Sequence, residues 1–181
     1  MTTPKLTSRR FVLDPLLRSD AAELFRYRSS PEVREFQGWV PETVGDAERF
    51  IDGVRSVGYD TPETWSQFAI RDSESGLIGD LGVHFGPADS QDVEIGVTVA
   101  PEQQRRGVAR ESLTRVFDHL FEDLEKRRVL AVALPENRAV LALLWGLGMS
   151  ESREESYPRW YRQEAIDGVW LSLSRAGWLE R

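Results

Sequence analysis

The stretch that most constrains this chain is a strand-like run that leads through a basic, glycine-containing loop into an amphipathic helix. The β-branched residues Val97–Val99 stop before Pro101, and the polar loop 104–107 opens into helix-forming sequence at Val108. A loop of this kind presents backbone N–H groups and the positive end of a helix to an anion, most often a phosphate. The sequence therefore predicts a phosphate-binding junction between a strand and a helix.

Composition limits the classes of protein to which the chain can belong. Its 181 residues, of which 40% are hydrophobic, predict one domain over 1–181 with a substantial core. The formal net charge of −7 is spread along the chain, which argues against nucleic-acid binding and suits a cationic partner such as an amine. The absence of cysteine excludes disulfides, thiolate metal sites and a cysteine nucleophile.

Metal and membrane sites are not expected either. The two histidines, His84 and His119, lie far apart and have no metal-ligand spacing. No apolar run approaches the length of a membrane span, and the N-terminus does not resemble a signal peptide. We therefore expect a cytoplasmic protein that binds neither a metal nor a membrane.

The periodicity of apolar residues predicts one α/β domain with a mixed sheet. Helices are expected to begin at Ser19 or Asp20, at 43–46, at Val108 and at Asn137. In the strand 93–99 the even-numbered residues, which include Glu94, share the face opposite the apolar one. The expected strands are 10–13, 65–70, 77–85, 93–99, 129–133, 157–161 and 169–173.

The chain resembles the GNAT superfamily of N-acetyltransferases over nearly its whole length, and most closely the RimJ/RimL-like branch that acetylates the N-termini of ribosomal proteins. The resemblance implies a single-domain GNAT fold, with a mixed, mostly antiparallel central sheet of about seven strands flanked by about four helices. It also implies acetyl-CoA as co-substrate. The segments that carry it are the motif Gln104-x-x-Gly107-x-Ala109 and the stretches 29–33, 92–96, 100–102, 136–139 and 148–149.

Coenzyme A carries a pyrophosphate, which the basic loop suits. Gly107 allows a close backbone approach, and the small side chain of Ala109 avoids a clash. The nearby arginines can add charge-assisted contacts, although a solvated basic helix start is the alternative. The residues predicted to bind the cofactor are Val97, Thr98, Val99, Gln104, Arg105, Arg106, Gly107, Val108, Ala109, Arg110 and Asn137.

Within this set, several roles come from the resemblance. In the GNAT fold the strand 93–99 splays from its neighbour and pairs with acetyl-pantetheine, and an N–H near Val97 polarises the thioester carbonyl. Gly96 is compatible with a bulge in that strand. Asn137 matches the asparagine that contacts the pantetheine arm or a site water, and a plain helix N-cap is its alternative role.

The chain departs from the family pattern where a proton donor is expected. Val140 stands where the branch usually has serine, and Leu144 stands where many other GNAT enzymes have tyrosine. Neither side chain can protonate a leaving thiolate, which with a thiol pKa of about 8.5 is itself a fair leaving group. Tyr157 or Tyr161 is a possible substitute, with core packing as the alternative.

Acyl transfer to an amine requires a neutral nucleophile, and a single carboxylate acting through water suffices for an α-amine of pKa about 8. Glu94 is the predicted base, with a rim glutamate paired to an arginine as the alternative. The residues predicted to line an acceptor pocket, unless they belong to the core, are Trp39, Trp65, His84 and Trp160.

These observations predict an acetyl-CoA-dependent N-acetyltransferase that works through a direct ternary complex, because no cysteine can carry the acyl group. The acceptor is a protein N-terminal α-amine or a small-molecule amine such as an antibiotic or a polyamine. The alternative is a non-catalytic acyl-CoA-binding module of the same fold. Either a monomer or a homodimer is compatible with the sequence.

Overall fold

A single mixed sheet forms the centre of the protein. The computed structural model describes residues 2–151, 153, 156–164 and 168–181 of the chain. Within these residues eight strands follow the order β1-β2-β3-β4-β5-β6-β8-β7, and only β5 and β6 are parallel neighbours. The strands are β1 Leu6–Thr7, β2 Val12–Pro15, β3 Thr64–Asp72, β4 Gly76–Phe85, β5 Asp92–Val99, β6 Arg128–Ala133, β7 Ser150–Glu151 and β8 Val169–Ser174.

Seven helices flank the sheet in the described part of the chain. They are α1 Ala21–Arg28, α2 Pro31–Arg34, α3 Val44–Ser56, α4 Val108–Asp118, α5 Arg138–Gly146, α6 Arg159–Glu164 and α7 Arg175–Leu179. The four helices expected from periodicity are α1, α3, α4 and α5, and the α/β class is confirmed. The additional elements α2, α7, β1 and β7 are too short to show a periodic pattern.

One predicted strand is wrong, because the segment 157–161 leads into helix α6. Tyr157, Trp160 and Tyr161 are spaced i, i+3 and i+4, which is the period of one helix face. Pro158 directly precedes the helix, where its fixed φ and missing N–H are tolerated. Both tyrosines are buried in a cluster with Leu130 and Trp170. The aromatic residues therefore have the spacing of a helix, and the prediction of a strand at 157–161 is wrong.

Two apolar clusters lie on opposite faces of the sheet. Helix α4 buries Leu113, Val116 and Phe117 against one face, as its i, i+3, i+4 pattern predicts. Helices α1 and α3 pack on the other face through Leu24 and Ile51. This second layer covers the face that carries Glu94, Gly96 and Thr98, and it therefore encloses the space above β5.

The parallel strands β5 and β6 separate after a short contact. Only Asp92–Glu94 pair with Arg128–Leu130; beyond them β5 pairs with β4 alone, and β6 pairs with β8 alone. The register between β4 and β5 is continuous through Gly96, so no bulge accounts for the separation. A wedge-shaped opening thus lies between two strands in the middle of the sheet.

Ion pairs between the two strands stabilise the closed end of this wedge. Asp92 is 1% exposed, and its carboxylate accepts hydrogen bonds from Arg127 Nη2 at 3.0 Å and from Arg128 Nη2 at 2.6 Å. Both arginines belong to the β6 side of the contact, whereas Asp92 begins β5. The cluster therefore joins the two strands at the point from which they diverge.

We expect Asp92→Asn to lower the free energy of unfolding by about 3 kcal/mol, because it leaves the half-buried guanidinium of Arg128 without its counter-charge. Urea denaturation measures this difference. The matched control is Arg127→Gln: that arginine's side chain is 70% exposed, and its loss should cost less than about 1 kcal/mol. Equal costs for the two variants would contradict a role for the buried carboxylate in joining β5 to β6.

Candidate functional site

The loop before α4 has two residues in the left-handed backbone region. Arg105 has a φ of 60°, and Gly107, at the N-cap of α4, has a φ of 78°. Glycine adopts this conformation without the steric cost that a Cβ atom imposes. The N–H of Glu111 is bonded to the carbonyl of Gly107 at 3.0 Å, so the N–H groups before it have no acceptor within the helix. The loop thus presents a set of backbone donors at the positive end of α4.

A cavity of about 490 Å³, here called the loop cavity, lies against these donors. Its lining runs from β5 across Gln104–Ala109 to Asn137 and Val140 of the α5 region. Ten of the eleven residues predicted to bind the cofactor line it, and Arg106 is the exception. The side chain of Arg106 instead donates to Gln103 Oε1 at 3.1 Å. The structure therefore brings the predicted set together, apart from one arginine.

Three polar side chains that line this cavity also form hydrogen bonds to the backbone of the elements around it. Gln104 Nε2 donates to the carbonyl of Val99 at 3.0 Å, which ties the loop to the end of β5. Arg110 Nη1 donates to the carbonyl of Gly146 at 2.8 Å, at the C-terminus of α5. Asn137 Oδ1 accepts from the N–H of Val140 at 3.2 Å, so Asn137 is the N-cap of α5 while it also lines the cavity.

A second cavity of about 630 Å³, here called the wedge cavity, fills the opening between β5 and β6. Residues 94–98 of β5 and 131–133 of β6 form its two sides, and Val140 and Leu144 of α5 line it as well. The two cavities share Phe36, Gln37, Val97, Thr98, Asn137 and Val140. They therefore meet over the edge of β5 that β6 leaves unpaired.

The backbone of β5 directs donors into this opening. The N–H of Ala100 donates to the carbonyl of Ile78, in β4, at 2.9 Å. Because N–H directions alternate along a strand, the N–H groups of Val97 and Val99 point away from β4, toward the wedge. An extended ligand with amide groups has matching acceptors and donors available there.

Glu94 lies at the apex of the wedge. It belongs to the last residue pair before β5 and β6 separate, its side chain is 18% exposed, and it lines the wedge cavity. On the neighbouring strands it is aligned with His84 and Trp65. The distance from Glu94 Oε2 to His84 Nδ1 is 3.9 Å. The predicted base is thus a partly buried carboxylate that faces the cavity.

The four predicted acceptor-pocket residues separate into two pairs. Trp39 and Trp65 line the wedge cavity, whereas His84 and Trp160 do not. His84 is stacked on Trp65 with a ring separation of 5.1 Å, and Trp160 contacts His84 edge-on at 5.4 Å. His84 and Trp160 therefore lie outside the cavity: His84 packs on the ring of Trp65, and Trp160 packs on His84.

The two candidate tyrosines do not line either cavity. Both belong to the buried cluster that contains Leu130 and Trp170. Burial, together with the negative charge of Glu94, raises the pKa of Tyr161 above its ordinary value. Among the described residues that line the wedge cavity, Thr98 carries the hydroxyl, and its Oγ1 donates to Gln37 Oε1 at 3.0 Å. Packing is therefore the role that the geometry gives to Tyr161.

The sequence reasoning missed a buried polar network behind the wedge cavity. Asp80 is fully buried in β4, and its carboxylate accepts from the hydroxyl of Tyr27 at 2.5 Å and from Arg28 and Gln67. Arg28 Nη1 also donates to Gln37 Oε1 at 3.1 Å. Burial and the charge of Asp80 raise the pKa of Tyr27 well above its usual range.

This network connects the sheet to α1 and to the loop that follows α2, and Arg28, Gln37 and Gln67 line the wedge cavity. The signal for it was present in the sequence. Asp80 is a carboxylate within the apolar run 77–85, and a charge at such a position requires a partner.

No group of three or more His, Cys, Asp or Glu side chains that could hold a metal ion occurs in the residues described. In the same part of the chain, none of the helices is both long and apolar enough to cross a membrane.

The chain matches known proteins over most of its length. The family model described as an acetyltransferase (GNAT) domain matches residues 10–150. An uncharacterized N-acetyltransferase of Bacillus subtilis, YoaA, is 28% identical over 152 residues, which are 82% of this chain and 84% of that protein. The uncharacterized N-acetyltransferase p20 of Bacillus licheniformis is 25% identical, over 82% of this chain and 81% of its own.

Solved structures share the fold at low sequence identity. A Vibrio cholerae protein provisionally named a ribosomal-protein-serine acetyltransferase has a TM-score of 0.79 at 23% identity, with 96% of this chain and 99% of that chain covered. Mycobacterium smegmatis RimJ in complex with CoA-disulfide has a TM-score of 0.75 at 20% identity (96% and 87% covered). A chimera of the spermidine N-acetyltransferase SpeG of Vibrio cholerae and hSSAT also has a TM-score of 0.75 at 20% identity (95% and 99% covered).

We expect Gly107→Ala to lower the free energy of unfolding by about 1 kcal/mol, because an alanine is strained at its left-handed φ. The added Cβ would also lie 3.2 Å from Arg10 Nη2. Gly53→Ala, within α3, is the matched control: its Cβ would meet no atom within 4 Å, and it should raise stability by about 0.5–1 kcal/mol. Thermal unfolding of both variants measures the two signs, and a stabilising Gly107→Ala would contradict this account of the loop.

Proposed function

This chain belongs to the GNAT acetyltransferase family, and we propose that it transfers the acetyl group of acetyl-CoA directly to a primary amine held in the wedge cavity. The acceptor is a protein N-terminal α-amine or a small-molecule amine. The main support is one observation: the carboxylate of Glu94 stands at the apex of a strand opening that is continuous with a loop of backbone donors.

The residues present suit a ligand that has an anionic end and an amide-bearing arm. The loop cavity offers the N-terminus of α4 and the guanidinium of Arg105 to a pyrophosphate. The unpaired edge of β5 offers backbone groups to an extended arm, in the manner of an added strand. When bound, acetyl-CoA supplies an acyl thioester at the wedge.

In this proposal each group of the chain has one task. The N–H groups of 107–109 and Arg105 hold the pyrophosphate. The backbone of Val97 and Val99 aligns the arm, and the N–H of Val97 stabilises negative charge on the thioester oxygen. Asn137 keeps α5 beside the wedge as its N-cap.

Glu94 takes the proton that the attacking amine loses, directly or through a water molecule. An α-amine of pKa about 8 is already partly neutral near pH 7, so this base need not be strong. Val140 and Leu144 line the wedge cavity and hold no transferable proton. No side chain there is assigned as general acid, since a thiol of pKa about 8.5 provides a fair leaving group without one.

The apolar character of Val140 and Leu144 also favours a second candidate, a binding module that holds acyl-CoA without turnover. The two candidates differ in what Glu94 does. In the enzyme it handles a proton, whereas in the binding module it has no chemical role.

The direct test is mass spectrometry of an acceptor panel incubated with the protein and acetyl-CoA. The panel contains N-terminal peptides, polyamines, simple monoamines and aminoglycosides. A gain of one acetyl group on any of these amines supports the proposal. Bound acetyl-CoA without acetylation of any acceptor would favour the binding module.

We expect Glu94→Gln to lower kcat by at least about 100-fold, because the amide cannot accept the proton. The dissociation constant of acetyl-CoA, measured by calorimetry, should stay within about twofold, since Glu94 lies away from the loop cavity. Glu180→Gln, at the exposed C-terminal end, is the control and should change neither quantity. Unchanged turnover of Glu94→Gln on an acetylated acceptor would refute the base role.

Tyr161→Phe should leave kcat and its pH profile between pH 6 and pH 9 unchanged within about twofold. Its hydroxyl is buried without a hydrogen-bond partner in the described structure, and its pKa is raised by burial. Such a group neither donates a proton to the wedge nor titrates in this range. A large loss of kcat at unchanged thermal stability would instead make Tyr161 the proton donor.

A further inference from the structure

We infer that Gly96 forms the floor of a subsite in the wedge cavity for a substituent on the carbon that bears the acceptor amine. The acceptor is then a primary amine whose amine-bearing carbon is branched, as it is in the α-amine of an amino acid or a peptide. This inference rests on the proposed function, in which the acceptor amine lies beside Glu94.

Gly96 leaves an open space over the middle of β5. It is exposed and lines the wedge cavity, and a Cβ atom added to it would meet no atom within 4 Å. Alternation along the strand puts this space on the face that carries Glu94 and Thr98, which line the same cavity. The lack of a side chain at Gly96 therefore enlarges the wedge cavity between those two residues.

Neither the backbone nor the packing requires a glycine at this position. Gly96 is not among the glycines with a positive φ, and the continuous register of β5 with β4 leaves no bulge there. A glycine inside a strand lowers stability, because it loses more conformational entropy on folding than other residues do. Close approach of a ligand is one of the reasons for which a strand retains such a glycine, and it is the one that the open space at Gly96 favours.

The glycine directly opposite on β4 shows a contrast. Gly82 is paired with Gly96, but a Cβ atom at Gly82 would lie 2.8 Å from Gln67 Oε1 and 2.9 Å from ring atoms of Trp65. These two side chains of β3 therefore lie on Gly82, and both line the wedge cavity. The space above Gly96 thus has an aromatic ring and an amide oxygen on its β4 side, which suits a small carbon substituent.

The order of residues along β5 indicates which group occupies this space. Thr98 lines both cavities, whereas Gly96 and Glu94 line the wedge cavity alone. In the proposed function the arm enters from the loop cavity, its thioester lies at the N–H of Val97, and the amine lies beyond it at Glu94. Neighbouring residues on one face of a strand are about 6.5–7 Å apart. A substituent on the carbon bonded to the amine nitrogen therefore reaches the space above Gly96.

The substituent can belong to a free amine or to the first residue of a peptide, so two matched pairs of acceptors are compared. One pair is benzylamine and 1-phenylethylamine, and the other is a tripeptide amide that begins with glycine and its counterpart that begins with alanine. In each pair the second member carries one more methyl group on the amine-bearing carbon. The pair that is acetylated identifies the source.

In the unaltered protein, kcat/KM for the branched member of that pair should equal or exceed the value for the unbranched member, to within about threefold. For 1-phenylethylamine the faster enantiomer is used. A larger loss of kcat/KM on branching would overturn the inference, because the cavity would then not admit the substituent.

Gly96→Ala fills the space and should remove this tolerance. We expect the ratio of kcat/KM for the branched acceptor to that for the unbranched one to fall at least about tenfold, because the added methyl group occupies the place of the substituent. The melting temperature should rise by about 1–4 °C, since alanine is less costly than glycine in a strand. Gly53→Ala, on α3, is the matched control and should give a similar rise without a change in the ratio. An unchanged ratio in Gly96→Ala would overturn the inference.

An acyl chain longer than acetyl is the other group that could fill the space. With the unbranched acceptor, the ratio of the rates from propionyl-CoA and acetyl-CoA should be the same in Gly96→Ala as in the unaltered protein. A selective loss of propionyl transfer, with the acceptor ratio unchanged, would assign the space to the acyl group and overturn the inference.

A binding measurement separates this inference from the proposed function. Calorimetry with the protein saturated with CoA gives the dissociation constant of each acceptor without turnover. Gly96→Ala should weaken binding of the branched member at least about tenfold more than binding of the unbranched one. That result without any acetylation would support the subsite while the proposed function fails. Equal effects on the two members would overturn the inference even if both are acetylated.

Discussion

The separation of β5 from β6 is the constraint on which the rest of the site depends. Backbone N–H and C=O groups in the interior of a sheet normally pair with the next strand. After Glu94, β5 keeps its partner on one side and loses it on the other, and the N–H groups of Val97 and Val99 point into the gap. In the proposed function, a ligand with an extended, amide-bearing arm restores this pairing.

Ion pairs at the closed end of the opening and hydrogen bonds at its open end fix the position of strand β5. At the closed end, Asp92 binds Arg127 and Arg128 across the short parallel contact. At the open end, Gln104 bonds the carbonyl of Val99, and the N–H of Ala100 is bonded to Ile78. Strand β5 is thereby fixed along its β4 side, while the N–H groups of Val97 and Val99 remain available on its other edge.

The features that the sequence predicted are local ones. The strand, the proline, the glycine at positive φ and the start of α4 lie within 13 residues, from 97 to 109. Their geometry therefore follows from short-range rules. The alternation of side-chain directions that places Glu94 on one face of β5 is equally local. Ten of the eleven residues that the sequence predicted to bind the cofactor accordingly line the loop cavity.

The features that the sequence did not predict depend on distant contacts. Strand β6 pairs along its whole length with β8, about 40 residues further along the chain, whereas it pairs with β5 only as far as Leu130. The partners of Asp80 come from α1 and β3, so only the need for partners, and not their identity, was readable from the sequence. Helix α6 has six residues, fewer than two turns, and so short a segment gives little periodicity by which to tell a helix from a strand.

Amide hydrogen exchange, resolved by residue, tests the central claim most directly. On addition of acetyl-CoA, the amides of Val97 and Val99 should exchange more slowly, because a bound arm takes the place of the missing strand. The amides of Gly96 and Thr98, which face β4, should change little. Unaltered exchange at Val97 and Val99 in a protein that has demonstrably bound acetyl-CoA would contradict the account of the wedge as the binding site.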